Sequence, residues 1–338
     1  METSLLGPET VMRLAEVGDV VMAVESAFAA HARGRSSMPA KSYVDLPEYN
    51  GDLRSMPVYL DVRPEDGANE AAWDAAAMKW VNVHPDNPAD HALPTVMGTI
   101  IYTDPETGFP LSVMDGTTIT RLRTGAAAAV ATEYLAREDA TSLGLVGAGA
   151  QADAQLEGIA TVRDVREVVI ADVDDDATAR FVDRWQDRFD VRAGSIAEAA
   201  ACDVVSTLTP VEDPIVESVG PETHVNAMGA DAAGKHEIDD DVLLSARIVI
   251  DDHEQCTHSG EINVPYGNGV LTDADIDADL GAVVAGDAAG RREDDGVTVF
   301  DSTGLAIQDA AAAHVVYERA RDAGVDDSYA LIDADPGR

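Results

Sequence analysis

The chain has 338 residues, with 63 Asp and Glu against 23 Lys and Arg, a formal net charge of -40. That length suits two domains of ordinary size, and an apolar content of 46% is ample for a core, so the acidity is not that of a disordered chain. A surface of this sign repels phosphate backbones and anionic lipid alike, which excludes nucleic acid and membranes as partners.

Apolar residues near a 3.6-residue period (Val11, Leu14, Val17, Val20, Val21, Val24) predict one helix from Glu9 to about Arg33. Short β-like runs follow at Lys41–Asp45, Ser55–Leu60, Met78–Asn82 and Val96–Tyr102, separated by Pro, Asn and Gly. The acidic stretch Arg63–Asp74 reads as a loop, and an Ala-rich helix is expected from about Ile119 to Leu135. An α/β alternation then begins with strand Ser142–Val146, a helix to about Val162, strand Glu167–Ala171 and helix Asp176–Phe189. It continues with strand Val191–Ala193, helix Ala197–Ala201, strands Val204–Thr207 and His224–Ala227, helix Asp239–Ser245 and strand Ile248–Asp251. Strand Val297–Phe300 and a helix from about Gly304 to Asp322 close the series. Such spacing implies an α/β fold with a Rossmann-type, doubly wound parallel sheet, and the β-rich N-terminal part forms a separate, smaller α+β domain.

The charge has a particular make-up. Asp outnumbers Glu 42 to 21, and Arg outnumbers Lys 20 to 3. At roughly molar salt the Debye length shrinks to about 3 Å, so such self-repulsion is screened. The composition therefore points to an extreme halophile. Two cysteines, Cys202 and Cys256, form no disulfide or metal framework and fit a reducing cytoplasm. Neither a membrane span nor a signal peptide is expected. The eight histidines show no zinc spacing, and no metal is expected.

Strand Ser142–Val146 runs into Gly147-Ala148-Gly149-Ala150-Gln151-Ala152, a G-x-G-x-x-A turn opening a helix. The first glycine permits the tight turn, the second lets backbone approach a pyrophosphate, and the helix N-terminus offers N–H donors. Asp172, ending the next strand, is placed to accept hydrogen bonds from ribose hydroxyls. With Asp174, Asp175 and Asp176 beyond it, a 2′-phosphate would meet clustered negative charge, so NAD is expected over NADP.

With three lysines in the chain, each is informative. Lys79, between Met78 and Trp80, reads as a sheltered cation rather than a snorkelling one. Arg54 and Arg123 sit in apolar surroundings and suit bidentate carboxylate recognition, a structural ion pair being the other reading of each. Asp231 follows strand His224–Ala227 in a loop flanked by glycines, where ligands of such sheets bind.

Together with segments 53–57 (LRSMP), 79–85 (KWVNVHP), 93–97 (LPTVM), 107–111 (TGFPL), 226–231 (NAMGAD), 260–262 (GEI) and 300–305 (FDSTGL), these motifs make the chain resemble the ornithine cyclodeaminase/μ-crystallin family, above all its archaeal alanine dehydrogenase branch. The resemblance covers nearly the whole length. It implies NAD-dependent oxidative deamination of L-alanine to pyruvate and ammonia, and the reverse amination. By matching position Lys79 and Arg123 hold the substrate carboxylate, Arg54 assists, and Asp231 exchanges protons. Thr95, Thr124, Ala150, Gln151, Asp172, Thr209, Met228 and Thr303 match cofactor-contacting positions, with Gly147 and Gly149 in the turn. The resemblance further implies a homodimer in which residues 1–118 with 308–338 form the substrate and dimerisation domain and 119–307 the NAD domain. Cyclodeamination, reduction of cyclic ketimines and non-catalytic binding are the other activities it admits. A cation at Arg54 would repel the distal ammonium of ornithine, which disfavours cyclodeamination.

Overall fold

The computed structural model describes residues 2–63, 72–325 and 327–333. The chain divides into two compact units, Met1–Arg123 with Leu305–Arg338, and Thr124–Gly304.

The first unit is built on one sheet. Its strands are β1 (Thr3–Leu6), β2 (Ser36–Ser37), β3 (Ser42–Leu46), β4 (Gly51–Asp61), β5 (Asp74–Val83), β6 (Val96–Thr103) and β7 (Pro110–Asp115), with the short strand Ser328–Tyr329 beside β1. The central order is β1-β7-β6-β5-β4, and β2 and β3 both pair with β4. All neighbours are antiparallel except β1 with β7. Register places Met56 opposite Lys79 and Arg54 opposite Val81, so the period of two puts all four on one face. Burial along β5 alternates to match: Ala75, Ala77, Lys79 and Val81 are buried while Trp80 is exposed. Helix Ala306–Asp322 packs against β4, β5 and β6 and against helix Val17–Ala32.

The single helix expected from Glu9 to Arg33 is two, Pro8–Leu14 and Val17–Ala32, because Ala15 and Glu16 adopt extended backbone. Apolar spacing continues across the break, so periodicity alone does not reveal it. Strands β1 and β7 lack an apolar signature for a related reason. Their core positions include Thr3 and Ser112, both fully buried, which donate to the carbonyls of Pro110 (2.7 Å) and Ser4 (3.1 Å). Of the expected loop Arg63–Asp74, residues 64–71 lie outside the described residues, and Asp74 already opens β5.

The second unit holds eight parallel strands: β8 (Ser142–Val146), β9 (Glu167–Ala171), β10 (Asp190–Ala193), β11 (Val204–Thr207), β12 (His224–Ala227), β13 (Arg247–Ile250), β14 (Ile276–Asp279) and β15 (Thr298–Asp301). Their order, β10-β9-β8-β11-β12-β15-β13-β14, reverses direction between β8 and β11. The expected doubly wound parallel sheet is therefore present. Hydrophobic clusters cover both faces, one around Leu143, Leu145, Leu156 and Phe181, the other around Val205, Val225, Leu243 and Ile250. Helix Gly116–Leu135 is finished by Arg163, whose guanidinium donates to the carbonyls of Thr132, Glu133, Ala136 and Arg137 at 2.9–3.3 Å. These carbonyls lie at and just beyond the helix C-terminus, where intrahelical donors run out. Among the described residues no helix is long and apolar enough to cross a membrane.

Candidate active site

The glycine turn lies where the sheet reverses, immediately after β8. Gly147 has φ 113°, a conformation that side chains rarely adopt, and an added Cβ would stand 3.1 Å from Leu208 Cβ beyond β11. Its N–H donates to Ala171 O at 2.8 Å, which ties the turn to the end of β9. Asp172 follows, and its carboxylate accepts from Ala148 N at 2.6 Å and from Asp174 N at 2.9 Å. Asp174 in turn caps helix Asp175–Trp185 by accepting from Asp176 and Ala177.

A Cβ at Gly149 would meet nothing within 4 Å. Ala150 is exposed, and the Gln151 side-chain oxygen is buried without a hydrogen-bond partner among the described residues. An open backbone edge with an orphaned acceptor at a helix N-terminus suits a dinucleotide. Thr124 is buried, its carbonyl accepting from Gln155, and Thr209 and Met228 follow β11 and β12 directly. Thr303 is buried just after β15. Thr95, in the first unit, stands ahead of β6, where its carbonyl accepts from His84 N at 2.8 Å.

In the first unit Lys79 is 2% exposed. Its ammonium lies 2.9 and 2.8 Å from the two carboxylate oxygens of Asp309 and donates to Thr120 Oγ1 at 3.3 Å. Arg123 Nε reaches the same carboxylate at 3.2 Å, and Nη1 donates to Gln308 Oε1 at 2.9 Å. Sequence reasoning missed Asp309. The available signal was an acid at the head of a four-alanine run, Ala310–Ala313, which marks a buried helix face. Burial, opposed by Asp309, pushes the Lys79 ammonium down to about 7.

Arg54 shares the Lys79 face of the sheet, yet it is not a lone cation. Asp52 takes two hydrogen bonds from it, at 2.7 and 3.0 Å, and the guanidinium lies 5.4 Å from the Tyr43 ring centre. Arg54 thus has a counterion on its own strand, as Lys79 and Arg123 have one in Asp309.

In the second unit Asp231 accepts from Lys235 Nζ at 2.5 Å and is 40% exposed. Beneath its loop lies a chain of buried carboxylates that sequence reasoning also missed. Glu237 accepts from the backbone N–H of Thr209 (2.7 Å) and Gly229 (3.1 Å), joining the loops after β11 and β12. Glu261 accepts from Glu237 N (2.8 Å) and Ile238 N (2.7 Å), and Asp301 from Glu261 N (2.9 Å) and Ile262 N (3.1 Å). Burial raises all three carboxyls, Asp301 to about 7.

Comparison with known proteins identifies what this arrangement belongs to. The ornithine cyclodeaminase/mu-crystallin family matches residues 1–324. The alanine dehydrogenase of Archaeoglobus fulgidus is 46% identical over 323 residues, 95% of this chain and 96% of that protein. The solved archaeal alanine dehydrogenase dimer with bound NAD superposes with a TM-score of 0.91 at 44% identity, covering 98% of this chain and 100% of the other. The Thermococcus litoralis Delta(1)-pyrroline-2-carboxylate reductase, solved with NADH and L-proline, superposes at 0.88 with 32% identity, covering 95% and 98%. The chain belongs to the ornithine cyclodeaminase/μ-crystallin family.

Proposed function

We propose that the protein oxidatively deaminates L-alanine to pyruvate and ammonia and catalyses the reverse amination. It is an NAD-dependent enzyme, and the substrate is what this reading adds. The observation that carries it is the buried Lys79–Asp309–Arg123 group, two cations sharing one carboxylate and so carrying a single surplus positive charge. A 2-amino or 2-oxo acid brings one carboxylate of opposite sign. The 46% identity to an alanine dehydrogenase supports alanine among such acids.

Lys79 and Arg123 orient the substrate by its carboxylate. The turn from Gly147 to Gln151 and Asp172 would hold NAD, which would supply the acceptor for hydride from the substrate Cα. Loss of hydride makes the amine an iminium, to which water adds before ammonia departs. Asp231, paired with Lys235, takes the proton from the attacking water, returns it to the departing nitrogen, and as ammonia leaves takes the carbinol hydroxyl proton to give the carbonyl. The four aspartates at 172 and 174–176 disfavour a 2′-phosphate, which supports NAD over NADP. The working form is a homodimer, as in the similar archaeal structure.

A cyclic imino acid offers the same carboxylate, and the similar pyrroline-carboxylate reductase makes imine reduction the second reading. NADH oxidation in molar KCl with pyruvate plus ammonium, against other 2-oxo acids and cyclic imines, separates the two. Turnover of imines without turnover of pyruvate refutes the alanine assignment.

A further inference from the structure

Lys79 is a charged group placed where charge is costly. It stands on the core face of β5, flanked across the sheet by Met56 and Ile100, neither of which titrates. The C-terminal helix brings Asp309 to it, and helix Gly116–Leu135 brings Thr120 and Arg123. Lys41 and Arg123 both act against its protonation, Arg54 on the same face is matched by Asp52, and Asp309 alone among these carboxylates reaches the ammonium. An unpaired buried ammonium would shed its proton instead. Thr120 Oγ1 donates to Gly116 O at 2.7 Å, so toward Lys79 it serves as an acceptor only.

We propose that Asp309 is a positioning residue for substrate binding: it keeps Lys79 protonated inside the protein and, by sharing its carboxylate with Arg123, fixes the two cations as one carboxylate-binding unit. The inference rests on the assignment of Lys79 and Arg123 to the substrate, and it adds why that assignment is physically possible at a buried position. It makes substrate binding depend on a residue that does not itself touch the substrate.

The presence of only three lysines makes a direct test practical, because lysine labelled with ¹³C and ¹⁵N gives three side-chain signals that single substitutions assign. In the full-length wild type the Lys79 ¹³Cε signal titrates near neutrality. In Asp309→Asn it titrates at least one pH unit lower, and Asp309→Glu restores most of the difference. The KM for whichever 2-oxo acid or imine is turned over rises about 8-fold or more in Asp309→Asn at pH 7.5, and much less at pH 5.5. A role in packing alone lowers activity equally at both values. Lys79→Arg, whose guanidinium stays charged, removes the pH dependence of KM and makes Asp309→Asn silent to pH. It also guards against a variant that merely unfolds. An unmoved Lys79 titration in Asp309→Asn overturns the proposal. A moved titration with an unchanged KM profile overturns instead the assignment of Lys79 to the substrate.

Discussion

Gly149→Ala separates folding from cofactor binding, because its two effects carry opposite signs. An added Cβ there meets nothing within 4 Å, and the residue is not in the left-handed region. Replacing glycine by alanine at such a position restricts the unfolded chain and stabilises by about 0.4–1 kcal/mol. For a domain of this size that raises Tm by roughly 1–4 °C. On the proposed cofactor site the methyl group would take space that a pyrophosphate needs. Losing one charge-assisted hydrogen bond from the turn costs about 1.5–3 kcal/mol, or roughly 10- to 150-fold in Kd. Differential scanning calorimetry and titration of NADH fluorescence in molar KCl read the two effects on one preparation. Gly147→Ala is the control, since its φ of 113° and the nearby Leu208 make it destabilising whether or not a nucleotide binds there. A Gly149→Ala protein that binds NADH as the wild type does refutes the placement of the phosphates on this turn.

Three further outcomes are expected. Asp231→Asn lowers kcat by about 10²–10⁴-fold while leaving the Kd for NADH unchanged, and near-full kcat would remove Asp231 from the proton path. Stability to thermal unfolding rises from low to molar NaCl as the -40 net charge is screened, and indifference to salt would refute the halophile reading. Burial raises the Asp301 carboxyl from 3.8 to about 7, so the proton is held more tightly by the folded chain. That stabilisation is complete below about pH 4 and is lost as pH rises to 7, up to about 4 kcal/mol. Chemical denaturation should show a flatter pH slope in Asp301→Asn, and an unchanged slope would show that Asp301 is not the group responsible.

Which parts of this molecule can be read from its sequence follows from how each part is buried. Strands such as β9 are covered on both faces and appear as continuous runs, Val168-Val169-Ile170-Ala171, bounded by polar residues. The glycine turn is legible because few residues tolerate its geometry. Lys79 stands out through scarcity, being one of three lysines, whereas Asp309 is one of 63 acids and looks like the rest. Its partner lies 230 positions away, and no local pattern links the two. The counterion of Arg54 is the opposite case: Asp52 is only two residues off on the same strand, and a period of two puts both on one face. Glu237, Glu261 and Asp301 accept backbone N–H groups, and a sequence does not show which carboxylates do so.

The division of the chain bears on the order in which the protein is made. Residues 124–304 are contiguous, so the second unit is complete as soon as they have left the ribosome. The first unit is not. Its sheet begins at Thr3, yet the helix carrying Asp309 and the strand Ser328–Tyr329 that pairs with β1 are synthesised after the second unit. Until then Lys79 lacks the Asp309 carboxylate, and β4 and β5 lack the helix Ala306–Asp322 that packs on them. The nascent protein thus holds a finished second unit while the first, with the proposed carboxylate site, is still incomplete. A chain truncated before residue 305 should bind NADH and leave Lys79 uncharged.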